Sequence, residues 1–184
     1  ELQQQMAAIK AAGVVEAFTT IGTGVTADGK YFGAAAVGNS VIFGPYTEDN
    51  VGVLDTTTST FSTIDTTAAG VTADYKYSGA AAVGTSVFFA PYTEDNVGVL
   101  DTTTSTFSTI DTGATGPYMY FGAAAVGTSV FFAPCNEDNV GVLDTTTSTF
   151  STTDTTAAGV TADAKYSGAA AVGTSVFFAP YNED

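Results

Sequence analysis

Apolar residues along this chain come in short blocks, and the same blocks return in the same order. Residues 79–110 hold one full set. A glycine-bounded run of alanines and valine (79–84) comes first. A β-branched and aromatic run, Val87-Phe88-Phe89-Ala90, follows and is closed by Pro91. A third run is Val97-Gly98-Val99-Leu100, and a fourth segment carries Phe107 and Ile110 as its bulky members. Polar stretches separate them: Thr85-Ser86, Tyr92-Thr93-Glu94-Asp95-Asn96 and Asp101-Thr102-Thr103-Thr104-Ser105. The alanine run has high helix propensity. Six residues between glycines is nevertheless too short for a helix, and length decides such cases. Valine, isoleucine and phenylalanine favour strands, and proline stops them. Asp101 opens a turn, since its side chain can accept bonds from the backbone that follows. The pattern predicts four short strands joined by tight turns.

The set is written almost four times. Gly33 to Gly79 spans 46 residues, Gly79 to Gly122 spans 43, and Gly122 to Gly168 spans 46 again. A fixed period in this range signals a stacked repeat architecture. Four short strands per repeat at even spacing make one propeller blade. The expected fold is therefore all-β, built of four-stranded antiparallel blades that begin near Lys30, Lys76, Met119 and Lys165. The innermost strands are expected at 34–37, 80–83, 123–126 and 169–172, because only small side chains fit around a crowded axis. Unbroken apolar runs then follow from both faces of each blade packing on neighbours.

The ends extend this picture. Residues 1–13 contain good helix formers, with Leu2, Met6 and Ile9 on one helical face and Gly13 placed to terminate them, so a short N-terminal helix is expected ahead of repeats over 14–184. Phe18-Thr19-Thr20-Ile21 matches Phe61-Ser62-Thr63-Ile64, so the repeats open on a fourth strand. They close at Tyr181-Asn182-Glu183-Asp184, where other copies continue Asn-Val-Gly-Val-Leu-Asp. This reads as a fragment: a partial or small propeller with a truncated last blade. Such a chain is expected to be weakly stable or to self-associate through unpaired blade edges.

The segment Asp95-Asn96-Val97-Gly98-Val99-Leu100-Asp101-Thr102-Thr103-Thr104-Ser105-Thr106-Phe107 resembles the second half of a kelch-type blade: a strand ending in aspartate, a threonine-containing turn, then an aromatic. Two features depart from kelch. Ala90-Pro91 stands where kelch repeats carry Gly-Gly, and Phe107 where they carry Trp. Lys76-Tyr77-Ser78-Gly79, Pro91 and the run 97–101 are closer to a kelch-like propeller repeat common in microalgal proteins. The resemblance covers about residues 14–184. It implies a propeller fold, and it implies little about function, because propellers host many unrelated ones.

Charge narrows the partners. Nineteen acids stand against four lysines, with no arginine and no histidine, for a net charge of −15. Such a surface repels nucleic acid and anionic lipid, so neither is expected as a partner. No apolar run reaches the ~18 residues of a membrane span. Without histidine or arginine, no catalytic constellation can be assigned and no enzyme is expected. Ser86 lacks the final glycine of a nucleophile elbow. A catalytic centre in missing blades is the third reading, after a scaffold and a structural repeat protein.

Three repeated features could carry binding. The acidic loops Glu48-Asp49, Glu94-Asp95 and Glu137-Asp138 are expected on one face with Asp28, Asp74 and Asp163, where oxygen donors could take Ca²⁺. Against this stands a solvated acidic rim with Lys30, Lys76 and Lys165 as counter-ions. Tyr46, Tyr92 and Tyr181 could stack on a carbohydrate, although a tyrosine after proline more often packs its ring against the protein. The threonine runs 56–60, 102–106 and 145–149 read as hairpin turns. Cys135, the sole cysteine, takes the place these tyrosines hold and is expected to be an inert thiol. The expectation is a binding scaffold for a protein or carbohydrate ligand. The alternative is an acidic, surface-exposed repeat protein loaded with divalent cations.

Overall fold

The computed structural model describes residues 5–9 and 18–183. Three four-stranded antiparallel sheets follow one another along the chain. The first is β3 (Tyr31–Val37), β4 (Ser40–Pro45), β5 (Asn50–Asp55) and β6 (Thr60–Asp65). The second is β7 (Tyr77–Val83), β8 (Ser86–Pro91), β9 (Asn96–Asp101) and β10 (Thr106–Asp111). The third is β11 (Tyr120–Val126), β12 (Ser129–Pro134), β13 (Asn139–Asp144) and β14 (Thr149–Asp154). Each strand pairs with the next in sequence order. Two strands precede these blades, β1 (Gln5–Ile9) and β2 (Phe18–Gly22), and two follow, β15 (Tyr166–Val172) and β16 (Ser175–Pro180). Each of these pairs forms a two-stranded sheet.

The first strands β3, β7, β11 and β15 pack against one another in order, which makes them the innermost layer. Backbone contact explains the glycines that mark the repeat. A Cβ on Gly33 would stand 2.7 Å from the Cα of Gly79, one on Gly79 2.5 Å from that of Gly122, and one on Gly122 2.7 Å from that of Gly168. No side chain fits there, and blade-to-blade spacing at the axis is set by these glycines. A bulge accompanies each: the register slips between Tyr31 and Ala34, and equally in β7, β11 and β15. The bulge re-aims the residue before the glycine.

The core lies between blades rather than within any one of them. Phe88 and Phe89 are neighbours in β8 and point to opposite faces. Phe88 packs with Tyr120, Val130 and Phe132 of the third blade, whereas Phe89 packs with Ile42 and Val51 of the first. The unbroken apolar run in β8 thus serves two interfaces. Full burial of such a side chain is worth about 1.5–3 kcal/mol. Val172 and Phe177, the counterparts of Val83 and Phe88 in β15–β16, are 68% and 60% exposed.

The shorter 43-residue repeat comes from one connection. Between β6 and β7, and between β14 and β15, the chain makes a 3-10 turn, Thr67–Ala69 and Thr156–Ala158. The link from β10 to β11 is three residues shorter and lacks that turn.

The expected N-terminal helix is corrected. Gln5–Ile9 is a strand, paired antiparallel with β2 so that Ile9 faces Phe18 and Met6 faces Ile21. Leu54 faces Phe61 and Val51 faces Ile64 in the same way in the first blade. Gln5-Met6-Ala7-Ala8-Ile9 therefore takes the register of Asn50-Val51-Gly52-Val53-Leu54. A helix of about a dozen residues is marginal by itself, whereas pairing satisfies the backbone groups of β2. Leu2 and Gly13, the other supports of that expectation, lie outside the described residues.

Candidate functional site

The face that carries the loops between second and third strands is built from local bonds. Each of these loops leans on the connection that enters its own blade. Thr47 Oγ1 donates to the carbonyl of Asp28 at 2.7 Å, Thr93 Oγ1 to that of Asp74 at 2.7 Å, and Asn182 Nδ2 to that of Asp163 at 2.9 Å. The acidic loops and these aspartates thus share one face.

On that face the carboxylates are spent singly. Asp49 Oδ1 accepts from the Lys76 ammonium at 3.0 Å, and Asp138 Oδ1 from Lys165 at 3.1 Å. Each lysine is fully buried and reaches back from one blade to the loop of the blade before, where it also meets a carbonyl, that of Thr47 or Asn136. These two ion pairs link successive blades. Glu94 Oε1 accepts from the backbone N–H of Ala73 at 3.3 Å, and burial raises its pKa. Among the described residues no three acidic or cysteine side chains converge on a point that could hold a metal ion. Glu48, Asp95 and Glu137 stand in equivalent loop places without entering such a group.

Aromatic rings occupy the inner part of the same face. Tyr46 meets Tyr75 with ring centres 5.0 Å apart, and Tyr92 meets Tyr118 at 4.9 Å. Each of these pairs spans a blade junction. Tyr46 and Tyr92 are themselves 6.0 Å apart. The bulged residues add to them: Phe32 and Phe121 touch edge to face at 5.1 Å, across the intervening Ser78. The alternation Phe32, Ser78, Phe121, Ser167 lets large rings from alternate blades meet over a small neighbour. Phe32, Tyr75 and Tyr118 are each more than 40% exposed, so the patch is a surface and not a sealed core. Burial pushes Tyr92 up to about 12, so its hydroxyl stays protonated at neutral pH.

The third junction breaks the pattern. Cys135 stands in place of Tyr46 and Tyr92, and Ala164 in place of Tyr75 and Tyr118. A cavity of about 290 Å³ lies there, lined by Tyr92, Phe121, Cys135, Ala164, Tyr166, Ser167 and Tyr181. The Cys135 thiol is buried, and burial raises its pKa. Sequence reasoning singled out Tyr46, Tyr92 and Tyr181 but missed Tyr75, Tyr118 and the opening at Cys135. The available signal was the column Tyr75, Tyr118, Ala164, whose loss of a ring coincides with the loss at Cys135.

No protein-family model and no curated protein matches the sequence. Among solved structures the chain is similar to a streptogramin B lyase, with a TM-score of 0.68 and 18% identity over 90% of this chain and 52% of that one. It is similar to selenomethionine-substituted virginiamycin B lyase from Staphylococcus aureus, with a TM-score of 0.66 and 14% identity over 90% and 53%. A chain of a nidogen/laminin complex gives a TM-score of 0.55 and 12% identity over 82% and 72%. The chain spans about half the length of the two lyases. Identities this low carry the fold alone. Three four-stranded blades, flanked on each side by half a blade, give this chain a partial β-propeller fold.

Proposed function

We propose that this chain is a kelch-like, non-catalytic binding scaffold whose ligand face is the aromatic patch of Phe32, Tyr46, Tyr75, Tyr92, Tyr118 and Phe121. The observation that carries the reading is the clustering of these rings, with Phe32, Tyr75 and Tyr118 exposed and Tyr46, Tyr92 and Phe121 half-buried beside them, near the acidic loops. Exposed aromatics with a polar rim are the usual anchors of protein and carbohydrate recognition. The absence of histidine and arginine supports a binding role over a chemical one. The nidogen/laminin neighbour shows that a related fold occurs in a protein complex, which supports a protein ligand by analogy of fold.

The test is a pair of arrays, one of neutral oligosaccharides and one of peptides, probed with the 184-residue chain and with Tyr75→Ala/Tyr118→Ala. The expected result is a set of ligands bound by the parent chain and lost by the variant. Ligands that survive the loss of both tyrosines, or no ligand on either array, would overturn the reading.

A further inference from the structure

Two blade junctions are filled by touching tyrosines, and the third is open because both members of the pair are small. Tyr46–Tyr75 and Tyr92–Tyr118 close the first and second junctions with ring centres 5.0 and 4.9 Å apart. At the third, Cys135 and Ala164 leave the cavity of about 290 Å³. Tyr92 and Phe121, which meet edge to face at 5.5 Å, form part of its wall, and Tyr166 and Tyr181 line it as well. It lies where the repeat supplies a ring pair at the other two junctions.

The serine of the repeat is placed differently at this junction. Ser78 donates its hydroxyl to the carbonyl of Tyr120 at 2.7 Å. Its counterpart Ser167 lines the cavity, is exposed, and makes no such bond among the described residues. Asn136 is already engaged, since its Oδ1 accepts from the N–H of Ala164 at 3.1 Å and its Nδ2 donates to the carbonyl of Pro117 at 3.4 Å. A mainly aromatic lining that also offers the hydroxyls of Ser167, Tyr92, Tyr166 and Tyr181 suits a small aromatic molecule. The net charge of −15 disfavours anions.

We infer that the Cys135–Ala164 junction is a pocket for a neutral phenolic ring, stacked against Tyr92 and Phe121 and hydrogen-bonded to Ser167 Oγ. The ligand supplies the ring that tyrosine supplies at the other junctions. Cys135 contributes a soft apolar wall. The pocket opens on the ligand face proposed above, and the inference rests on that reading for its biological setting.

The probe is p-cresol, followed by saturation-transfer NMR and by protection of Cys135 from iodoacetamide. The parent chain is expected to bind saturably, with alkylation slowed in step with occupancy. Cys135→Tyr/Ala164→Tyr refills the junction and is expected to weaken binding at least tenfold. Ala164→Tyr alone, which keeps the thiol, serves if the double variant fails to fold. 4-Methylcyclohexanol, of similar size without a ring face, is expected to bind several-fold more weakly. No saturable binding to the parent, or equal binding to the refilled variant, overturns the inference. Tyr75→Ala removes a ring of the wider face that packs on Tyr46 and lines no part of this cavity, and it should keep p-cresol binding, so failure of the wider face and failure of the pocket are told apart.

Discussion

Lys76 and Met119 occupy the same place in successive blades and fill it in opposite ways. Both are buried, yet one brings a charge and the other none. Lys76 is compensated by Asp49, which is itself about half exposed at 51%. Removing a buried charge together with its cost is often neutral, whereas stranding it is expensive. Lys76→Met is therefore expected to leave stability within about 1 kcal/mol of the parent. Asp49→Ala leaves the ammonium with the Thr47 carbonyl at 3.5 Å and the field of the Glu94 carboxylate. Its expected loss is on the order of 1–3 kcal/mol, reduced from the figure for a fully buried pair because Asp49 meets solvent. Urea unfolding of the two variants checks the asymmetry, and equal losses would refute it.

The hairpin between third and fourth strands is a self-contained element, written the same way three times. Asp55 Oδ1 accepts from the N–H of Thr57 at 2.8 Å and from its hydroxyl at 2.6 Å. Asp101 and Asp144 repeat both bonds with Thr103 and Thr146. Asp65 and Asp154 do the same where they open the 3-10 turns. These bonds favour the ionised form and hold all five carboxyls below the ordinary aspartate range. The folded chain then binds these protons less readily than the unfolded one. The stability they confer is present above the unfolded value, about 3.9, and is lost as pH falls through the folded values. Glu94, raised by burial, works in the opposite direction and offsets part of this loss. Tm is expected to fall below about pH 4. Asp101→Ala should lower Tm at pH 7 and show a smaller further drop at pH 3 than the parent. A parallel drop in both proteins would exclude the turn as the source.

At the scale of the molecule, the two half-blades are complementary. β15–β16 are the inner strands of a blade and β1–β2 keep the register of its outer strands. Among the described residues neither β16 nor β1 has a second strand partner. Phe177 leaves an apolar face open beside that edge. Free edges backed by apolar surface are templates for association. The 184-residue chain is expected to associate with concentration, β16 of one copy receiving β1 of another as β4 receives β5. Light scattering after size exclusion should show growth in mass over a concentration series, reduced in Phe177→Lys. A monomer at every concentration, or association untouched by the lysine, would refute this pairing.

The repeat period, the four strands per blade and the innermost alanine strands were legible in sequence because they depend on local length, turn chemistry and side-chain size. Asp101 at the hairpin and Pro91 at the strand end act within a few residues of themselves. The N-terminal segment was misread for the converse reason. Leu2, Met6 and Ile9 have a helical spacing, but whether Gln5–Ile9 coils or extends depends on β2, a strand at another place in the chain. The lysine bridges, the ring pairs and the cavity also join residues 26 to 29 positions apart, from Tyr92 to Tyr118 and from Cys135 to Ala164. The sequence alone determined the blades, since each is closed by its neighbours in the chain. Only the tertiary structure decided what the junctions between blades contain, because stacking the blades brings those distant residues into contact.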